Sequence, residues 1–296
     1  MKIAVLMSTC NGHRYLGQQL ESLANQTVAD NITVYIRDDG STDNTFNIIE
    51  KWRQKVNIVL YKGRCNIGPA MSFWKLLISS QIQADYYAFC DQDDVWDSDK
   101  LEVAIEHLQG NTHFYACNCR IIDEKGIITN ELRLTKAPQI NVESLFISGC
   151  TQGCSMVFTD VLRKYIIEKK IQTIPMHDIV VMLYAMQFGA IYWDQTPHFG
   201  YRVHSNNVVA KNNKSKIQQI KTIIWNWKNS SKNSMSKVAA EMLTNISDFP
   251  LKDRQFLEYI ADYKKHRIWL IKNIKKYTLE TASVRSYIIR ILIGLY

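Results

Sequence analysis

The chain has 296 residues, of which 46% are hydrophobic and 22% are charged. This length and composition are those of a globular protein with one large domain or two small ones, and they exclude a disordered or fibrous chain. The formal net charge of +8 is unevenly placed, because Lys and Arg predominate from Lys211 onward while the first half is nearly balanced. This asymmetry predicts a catalytic body followed by a basic appendage.

The cysteines and the apolar segments indicate in which cellular compartment the protein works. Seven cysteines are an odd number, so we expect free thiols and a reducing cytoplasm rather than a disulfide framework. The pairs Cys117/Cys119 and Cys150/Cys154 lack partners at zinc-site spacing, which argues against zinc. The apolar segment after Lys2 is too short for a signal peptide, and no stretch reaches the ~20 apolar residues of a membrane span.

Residues 3–90 alternate short apolar segments with amphipathic ones. The predicted strands are Ile3–Met7, Ile32–Ile36, Asn57–Tyr61 and Tyr86–Cys90. The predicted helices between them are Tyr15–Ala24, Asn44–Arg53 and Pro69–Ser79. Strands that alternate with helices predict a parallel sheet with right-handed crossovers, which is a Rossmann-like nucleotide-binding layout.

The pattern changes after this half. Asp97 or Ser98 is predicted to cap a helix, and residues 123–126 to form a turn between two strands. Further elements are predicted as helices at about 160–169 and 179–188 and as strands at 191–193 and 199–203. From Lys211 to the end we expect mostly helix, with apolar stripes from Ile217 to Trp227 and from Val284 to Leu295. We therefore predict a catalytic domain over 1–210, divided into a nucleotide-binding half (1–96) and an acceptor half (97–210), followed by a helical region over 211–296.

Three carboxylates follow the strand that ends at Cys90, namely Asp91, Asp93 and Asp94. In open α/β sheets, ligands bind at the carboxyl ends of the strands, where these side chains would emerge. Carboxylates packed this closely repel one another unless a cation or protons intervene, and oxygen ligands at this spacing suit Mg²⁺ or Mn²⁺. The alternative is a solvated strand-to-helix turn, which does not require two carboxylates one residue apart.

Polar side chains follow other predicted strands as well. Ser8–Gly12 and Asp38-Asp39 follow the first two strands, where they could bind a base or ribose, although a turn with a helix cap is the simpler interpretation. His177-Asp178 opens a helix, so Asp178 has about even odds of being only a cap. Arg202 and His204 alternate along a strand and therefore point the same way, which suits a phosphate contact and a metal ligand.

Together these segments resemble the inverting family 2 glycosyltransferases of the GT-A fold, and among them the bacterial rhamnosyltransferase-like group. The matching segments are Ser8–Gly12, Tyr15-Leu16, Gln18–Leu20, Gln26-Thr27, Arg37–Asp43, Asn66–Pro69, Phe89–Trp96, Met176–Asp178 and Tyr201–Asn207. They span roughly residues 1–207, and Cys10 stands where the family more often has Tyr. The resemblance implies an α/β GT-A nucleotide-diphospho-sugar transferase fold, here with a mostly helical C-terminal extension.

The resemblance also implies roles for individual residues. Asp178 would be the general base, and Asp93 and His204 would bind Mn²⁺ or Mg²⁺. The expected nucleotide and donor contacts are Ser8, Thr9, Asn11, Asp39, Asn66, Gly68, Asp91 and Arg202. The expected acceptor side comprises Trp96, Gly149, Cys150 and His177. Asp94 is left between a supporting acid and a contact to the donor sugar.

Partners and alternatives complete the prediction. The donor would be a nucleotide sugar, with dTDP-rhamnose favoured and a UDP-sugar as the alternative, and the acceptor a cell-surface glycan or lipid-linked glycan. The basic C-terminal helices would contact an anionic inner membrane face, pack on the catalytic body, or form a homodimer, and no nucleic acid is expected. Two other hypotheses are a haloacid-dehalogenase-type phosphatase with Asp91 as nucleophile and a non-catalytic membrane or partner-binding module.

Overall fold

A computed structural model describes residues 1–149, 151–204, 234–273, 284–292, 294 and 296. The chain divides into two compact units. The first, which we call the sheet unit, comprises Met1–Ala137, Thr151–Lys170 and Met176–Val203. The second, the helical unit, comprises Pro138–Cys150, Ile171–Pro175 and His204–Tyr296.

The described part of the sheet unit contains one sheet of nine strands. They are β1 (Ile3–Thr9), β2 (Ile32–Asp38), β3 (Ile58–Lys62), β4 (Tyr86–Cys90), β5 (Val95–Trp96), β6 (Thr112–Ile122), β7 (Ile128–Asn130), β8 (Met156–Thr159) and β9 (Ala190–Arg202). Their order is β3-β2-β1-β4-β8-β6-β9-β5, with β7 beside β6. The pairs among β1 to β4 are parallel, which confirms the predicted first half, while β8 runs antiparallel to β4 and β6.

The helices of the sheet unit are α1 (Leu16–Ala24), α2 (Thr45–Trp52), α3 (Pro69–Leu77), α4 (Lys100–His107), α6 (Asp160–Glu168) and α7 (His177–Phe188). Alternate residues of β1 explain how α1 and α2 are held. Ile3, Val5 and Met7 belong to one buried cluster with Leu20 of α1 and Ile49 of α2. Since successive strand residues point to opposite faces, these alternate residues pack one face of the sheet against α1 and α2.

The sheet curls around the loop between β4 and β5. Only Asp91–Asp94 separate these strands, although three strands lie between them in the sheet order. In a flat sheet, four strand spacings of ~4.8 Å would place β5 about 19 Å from β4, more than five residue steps of ~3.5 Å can span. The curl therefore brings the far edge of the sheet back to the loop Asp91–Asp94, which we call the acidic loop.

Two details differ from the prediction. The segments 191–193 and 199–203 belong to one strand, β9, because register shifts opposite Pro197 absorb that residue without ending the strand. Neither Asp97 nor Ser98 caps α4: the helix begins at Lys100, and Asp99 precedes it without a side-chain cap hydrogen bond.

The described part of the helical unit confirms the predicted helical character of the C-terminal region. Its helices are α5 (Val142–Ser148), α8 (Ser234–Asn245), α9 (Leu251–Ala261), α10 (Tyr263–Asn273) and α11 (Val284–Leu292). The predicted stripe from Ile217 to Trp227 lies outside the described residues. No helix in the described ranges has the length and apolar character needed to cross a membrane.

Candidate active site

The carboxyl ends of β1, β2 and β4 lie side by side. Thr9 of β1 pairs with Asp38 of β2, and Met7 of β1 pairs with Cys90 of β4. The polar segments that follow these strands therefore emerge at one edge of the parallel sheet. This is the edge at which ligands bind in open α/β sheets.

Gln92 joins the acidic loop to the segment after β1. Its Oε1 accepts hydrogen bonds from Thr9 Oγ1 at 2.7 Å and from the Cys10 backbone N–H at 2.9 Å, while its Nε2 donates to the Cys10 carbonyl at 3.3 Å. A Cβ added to Gly12 would lie 2.4 Å from Oε1 of Gln92. Sequence reasoning missed Gln92, although its position between two predicted site residues, Asp91 and Asp93, was a signal for it.

Asn11 lies in the segment that follows β1 and holds this segment to the loop after β2. Its φ of 51° lies in the left-handed region, which Asn tolerates better than most residues. Its Oδ1 accepts from the Thr42 backbone N–H at 2.9 Å, and its own N–H donates to Ser41 Oγ at 2.9 Å. The Asn11 side chain therefore shapes the loop.

Asp39 is buried at the end of β2 and anchors the segment before α3. Its Oδ1 pairs with Arg37, and its Oδ2 accepts the backbone N–H groups of Ile67 at 2.9 Å and Gly68 at 2.8 Å. Asn66 adds a hydrogen bond to Gly68 N–H at 2.9 Å. The predicted nucleotide contacts Asp39, Asn66 and Gly68 thus lie together.

Ser8 also lies at this edge, at the end of β1. Its hydroxyl donates to Ser72 Oγ of α3 at 2.8 Å. Ser72 Oγ in turn accepts from Arg37 Nη1 at 3.3 Å, so it connects Ser8 with the arginine that pairs with Asp39.

The charges of Asp93 and Asp178 both reach Asp91. Burial and the nearby charges of Asp93 and Asp178 raise the pKa of Asp91 to about 7. Asp178 lies in the first turn of α7, where its Oδ1 accepts the Ile179 backbone N–H at 2.8 Å. Asp178 thus lies at a helix N-terminus, a position that favours negative charge, beside the acidic loop.

The residues present fit a divalent cation. Ligand atoms of Asp91, Asp94 and Cys154 all lie within 4.8 Å of one another. Asp94 is fully buried, and its Oδ2 has no hydrogen-bond partner. Burial, with the charges of Asp93 and Asp91, raises the pKa of Asp94 well above its usual range. Burial also raises the pKa of the Cys154 thiol, and the charges of Asp94 and Asp91 add to it. A cation would relieve this repulsion.

Arg202 does not occupy the open position predicted for a donor contact. The side chain is fully buried and stacks over the Tyr15 ring at 4.7 Å. Its guanidinium donates hydrogen bonds to the backbone carbonyl groups of Asp93 at 2.7 Å, Asp123 at 3.1 Å and Glu124 at 3.2 Å. It also donates to the side-chain oxygen Oε1 of Gln18 at 2.6 Å. Its backbone N–H donates to Asp94 Oδ1 at 3.1 Å. Arg202 therefore holds the acidic loop in place, because its donors are directed at the protein itself.

His177 is buried rather than presented to an acceptor. Its ring stacks on Phe73 at 4.2 Å and meets Phe89 edge-on at 4.6 Å, and neither ring nitrogen has a hydrogen-bond partner. Burial lowers the pKa of His177 to about 4, so the ring is neutral. A Cβ on Gly153 would lie 2.8 Å from His177 Nε2, so this turn can approach α7 only as glycine. His177 thus packs the base-bearing helix against α3 and β4.

Trp96 is likewise part of the core rather than an acceptor floor. It is 3% exposed and pairs with Phe199 of β9. The ammonium group of Lys100, also fully buried, lies 3.6 Å from the centre of the Trp96 ring. The aromatic surface is therefore covered by the lysine.

The remaining predicted residues lie in the helical unit or outside the described residues. Gly149 ends α5 with a φ of 68°, in the left-handed region that glycine adopts readily. His204 follows Arg202, the last residue of β9, by two positions. Cys150 lies outside the described residues.

Comparisons with known proteins identify relatives of this sequence. The family model for Glycosyl transferase family 2 matches residues 4–166. The chain is 31% identical over 219 residues to the dTDP-rhamnosyl transferase RfbG of Shigella flexneri, which covers 70% of this chain and 74% of that protein. It is 27% identical over 158 residues to an Escherichia coli protein, the UDP-Glc:alpha-D-GlcNAc-diphosphoundecaprenol beta-1,3-glucosyltransferase WfaP, covering 53% of this chain and 60% of that protein.

Solved structures show the same fold. TarS 1–349 of S. aureus in complex with UDP-GlcNAc matches with a TM-score of 0.61 and 18% identity, covering 99% of this chain and 80% of that chain. The mannosyltransferase PcManGT of Pyrobaculum calidifontis, in complex with GDP-Man and Mn²⁺, matches with a TM-score of 0.54 and 16% identity, covering 99% of this chain and 86% of that chain. The fold is that of the GT-A glycosyltransferases, as predicted.

Proposed function

This chain belongs to glycosyl transferase family 2, and we propose that it is an inverting enzyme that moves a sugar, with L-rhamnose favoured, from a nucleoside diphosphate to a hydroxyl group of a cell-surface polysaccharide or lipid-linked glycan. One observation carries the mechanism. Asp178 stands at the N-terminus of α7, close enough to the acidic loop for its charge to raise the pKa of Asp91. This proximity supports a base that would act beside a diphosphate site. Family membership and the GT-A fold leave no support for the phosphatase or the non-catalytic module.

Asp178 is the proposed general base. Inversion requires the acceptor hydroxyl to attack opposite the leaving diphosphate, with a base within hydrogen-bond reach of its proton. The carboxylate of Asp178 takes that proton as the new bond to the anomeric carbon forms. Its hydrogen bond to Ile179 N–H fixes the orientation of the carboxylate, so that the proton-accepting oxygen is set in place before the substrate binds.

The donor would bind at the sheet edge. Asp39, Asn66 and Gly68 would lie at the nucleobase end with Ser8, Thr9 and Asn11, and Asp91 would lie near the ribose. Asp93 and His204 would hold Mn²⁺ or Mg²⁺, which when bound neutralises charge on the leaving diphosphate. Gly149 would lie on the acceptor side. The relationship to RfbG supports dTDP-rhamnose as donor, and a UDP-sugar remains the alternative.

The base assignment is tested with Asp178→Asn. General base catalysis contributes roughly 10²–10⁴-fold, so kcat should fall within that range while donor binding measured by calorimetry is retained. Asp253→Asn is a matched control, because Asp253 is also an acid in the first turn of a helix, α9. Loss of donor binding in the Asp178 variant, or unchanged turnover, would remove Asp178 from this role.

The donor is identified with a panel of sugar nucleotides. A ligand that binds only the native state raises the melting temperature according to its occupancy. We expect the largest shift, in the presence of Mn²⁺, from dTDP-rhamnose. A larger shift from a UDP-sugar would replace rhamnose in the proposal and leave the family assignment untouched.

We also propose peripheral contact with an anionic membrane face, which would place the enzyme at the inner side of the cell membrane. The support comes from α10, where Lys264, Lys265 and Lys272 are exposed beside Ile268, which is 72% exposed. Lysines around an apolar residue suit anionic headgroups. The full chain with all three lysines changed to Glu should lose sedimentation with anionic vesicles. Retained binding would assign the membrane contact to another surface, and failure of the unmodified chain to sediment would favour the alternatives, packing within the protein or a homodimer.

A further inference from the structure

Asp91, Asp94 and Cys154 form a mixed group, which we call the thiol-carboxylate group. Asp91 and Asp94 lie in the loop between β4 and β5, and Cys154 lies in the short turn Gly153–Ser155 that leads into β8. Because β8 pairs with β4, this turn comes against the acidic loop. One ligand atom from each of the three residues lies within 4.8 Å of the other two.

Within this group the Cys154 thiol hydrogen-bonds both carboxylates, yet one buried oxygen of Asp94 is left without a hydrogen bond. Asp94 is fully buried and Cys154 is 1% exposed. Asp94 Oδ1 accepts the Arg202 backbone N–H, but Oδ2 has no hydrogen-bond partner. A buried carboxylate oxygen without a hydrogen bond destabilises the native state, so a ligand that satisfies it is favoured.

Lys100 does not fill this role. It is fully buried, burial lowers its pKa, and the charges of Cys154 and Asp94 act on it in the opposite direction. Its Nζ, however, has no hydrogen-bond partner and lies over the Trp96 ring at 3.6 Å. The lysine therefore compensates the carboxylate only through space, and the position beside Asp94 Oδ2 is left to another group.

The ligand types select a class of cation. Mg²⁺ and Mn²⁺ prefer oxygen ligands alone, whereas a thiolate favours softer ions. In a tetrahedral zinc site, with bonds of ~2.3 Å to sulfur and ~2.0–2.2 Å to oxygen, the ligand atoms lie about 3.4–3.7 Å apart. Atoms already within 4.8 Å reach this spacing through small side-chain rotations.

We propose that Asp91, Asp94 and Cys154 bind a thiophilic divalent cation, Zn²⁺ or Cd²⁺, with the Cys154 thiolate as one ligand. The thiol proton leaves to solvent as the metal–sulfur bond forms. Because Asp91 is recruited away from the donor, such an ion inhibits sugar transfer even when Mn²⁺ is present. Binding depends on these three residues alone, whereas the inhibition rests on the proposed function.

The test is a Cd²⁺ titration of the full, reduced, metal-free chain. A cadmium–thiolate bond gives an ultraviolet charge-transfer band, which should grow to one equivalent. Cys154→Ser should abolish the band, and Asp94→Asn, which keeps the thiol, should weaken binding roughly tenfold or more. The matched control is Cys117→Ser, since Cys117 is an equally buried free thiol in β6. The group formed by Asp97, Asp99 and His198 contains no sulfur, so it is silent in this measurement.

The outcomes separate this site from the proposed function. A band that survives Cys154→Ser, or that Cys117→Ser removes equally, overturns the site, as does native affinity in Asp94→Asn. Should Cys154→Ser fail to fold, Cys154→Ala and Asp94→Asn answer the same question. Cadmium binding without any sugar transfer by the Mn²⁺ enzyme would refute the function and leave the site standing. Transfer that is insensitive to bound Cd²⁺ would refute the inhibition.

Discussion

Replacing Asp91 by Asn should stabilise the metal-free protein at alkaline pH. In the native state the pKa of Asp91 is raised to about 7, whereas an unfolded Asp titrates near ~3.9. The native state therefore binds the proton more tightly, and stability falls as pH rises from about 4 to 7. At ~1.36 kcal/mol per pH unit, the raised pKa of Asp91 lowers the free energy of unfolding by about 4 kcal/mol at pH 8 but by only about 1.5 kcal/mol at pH 5.

The assay is urea unfolding of the metal-free native protein and Asp91→Asn at pH 5 and pH 8. Asn cannot ionise, so the free energy of unfolding of the variant should exceed that of the native protein by up to about 4 kcal/mol at pH 8. At pH 5 this difference should be only about 1.5 kcal/mol. Asp248→Asn, at an exposed site, should show no such pH-dependent gain. Equal stability of the native protein and Asp91→Asn at pH 8 would refute the burial and repulsion assigned to Asp91. Saturating Mn²⁺ should stabilise the native protein more than the variant.

Further variants test the contacts that shape the site. Gly12→Ala places a Cβ 2.4 Å from Gln92 Oε1, so KM for the donor should rise several-fold in steady-state assays, and an unchanged KM would show that the loop adapts. Gly153→Ala places a Cβ 2.8 Å from His177 Nε2 and should shift the first turn of α7, lowering kcat roughly 10²-fold while donor affinity stays native. Arg202→Met leaves the carbonyls it bonds without a donor and should lower the free energy of unfolding by about 3 kcal/mol in urea, a loss that a purely donor-binding arginine would not cause.

The first half of the fold could be predicted because its signals are local. The four parallel strands follow from short apolar segments between amphipathic ones, and each begins and ends within two residues of its expected position. β9 was harder, since Pro197 normally interrupts a strand. Only the bulge against β6 keeps it continuous, and a bulge depends on the partner strand rather than on the sequence of β9.

Side-chain environment limited the prediction of the site. Asp91 was singled out because carboxylates at a strand end are visible in the sequence, whereas the role of Asp178 as base was implied by the family resemblance, and both roles stay predictions. Arg202 was given a phosphate contact because strand alternation states which way a side chain points, not what covers it. The acceptor-side roles of His177 and Trp96 came from the family resemblance, which does not state burial either. Burial of Arg202 arises from Gln18 and the turn after β6, which are far away in the chain.

The acidic loop holds carboxylates close together although they repel one another, and hydrogen bonds to neighbouring residues keep the loop in place. Asp91, Asp93 and Asp94 repel one another, as the raised pKa of Asp91 shows. Gln92 and Arg202 counter this by holding the loop from opposite directions, one through the β1 segment and the other through the Asp93 carbonyl. The carboxylates therefore stay close together, and a bound cation would reduce their repulsion. Gln92 and Arg202, which bond to the protein itself, thus fix the arrangement of carboxylates that a metal ion would meet.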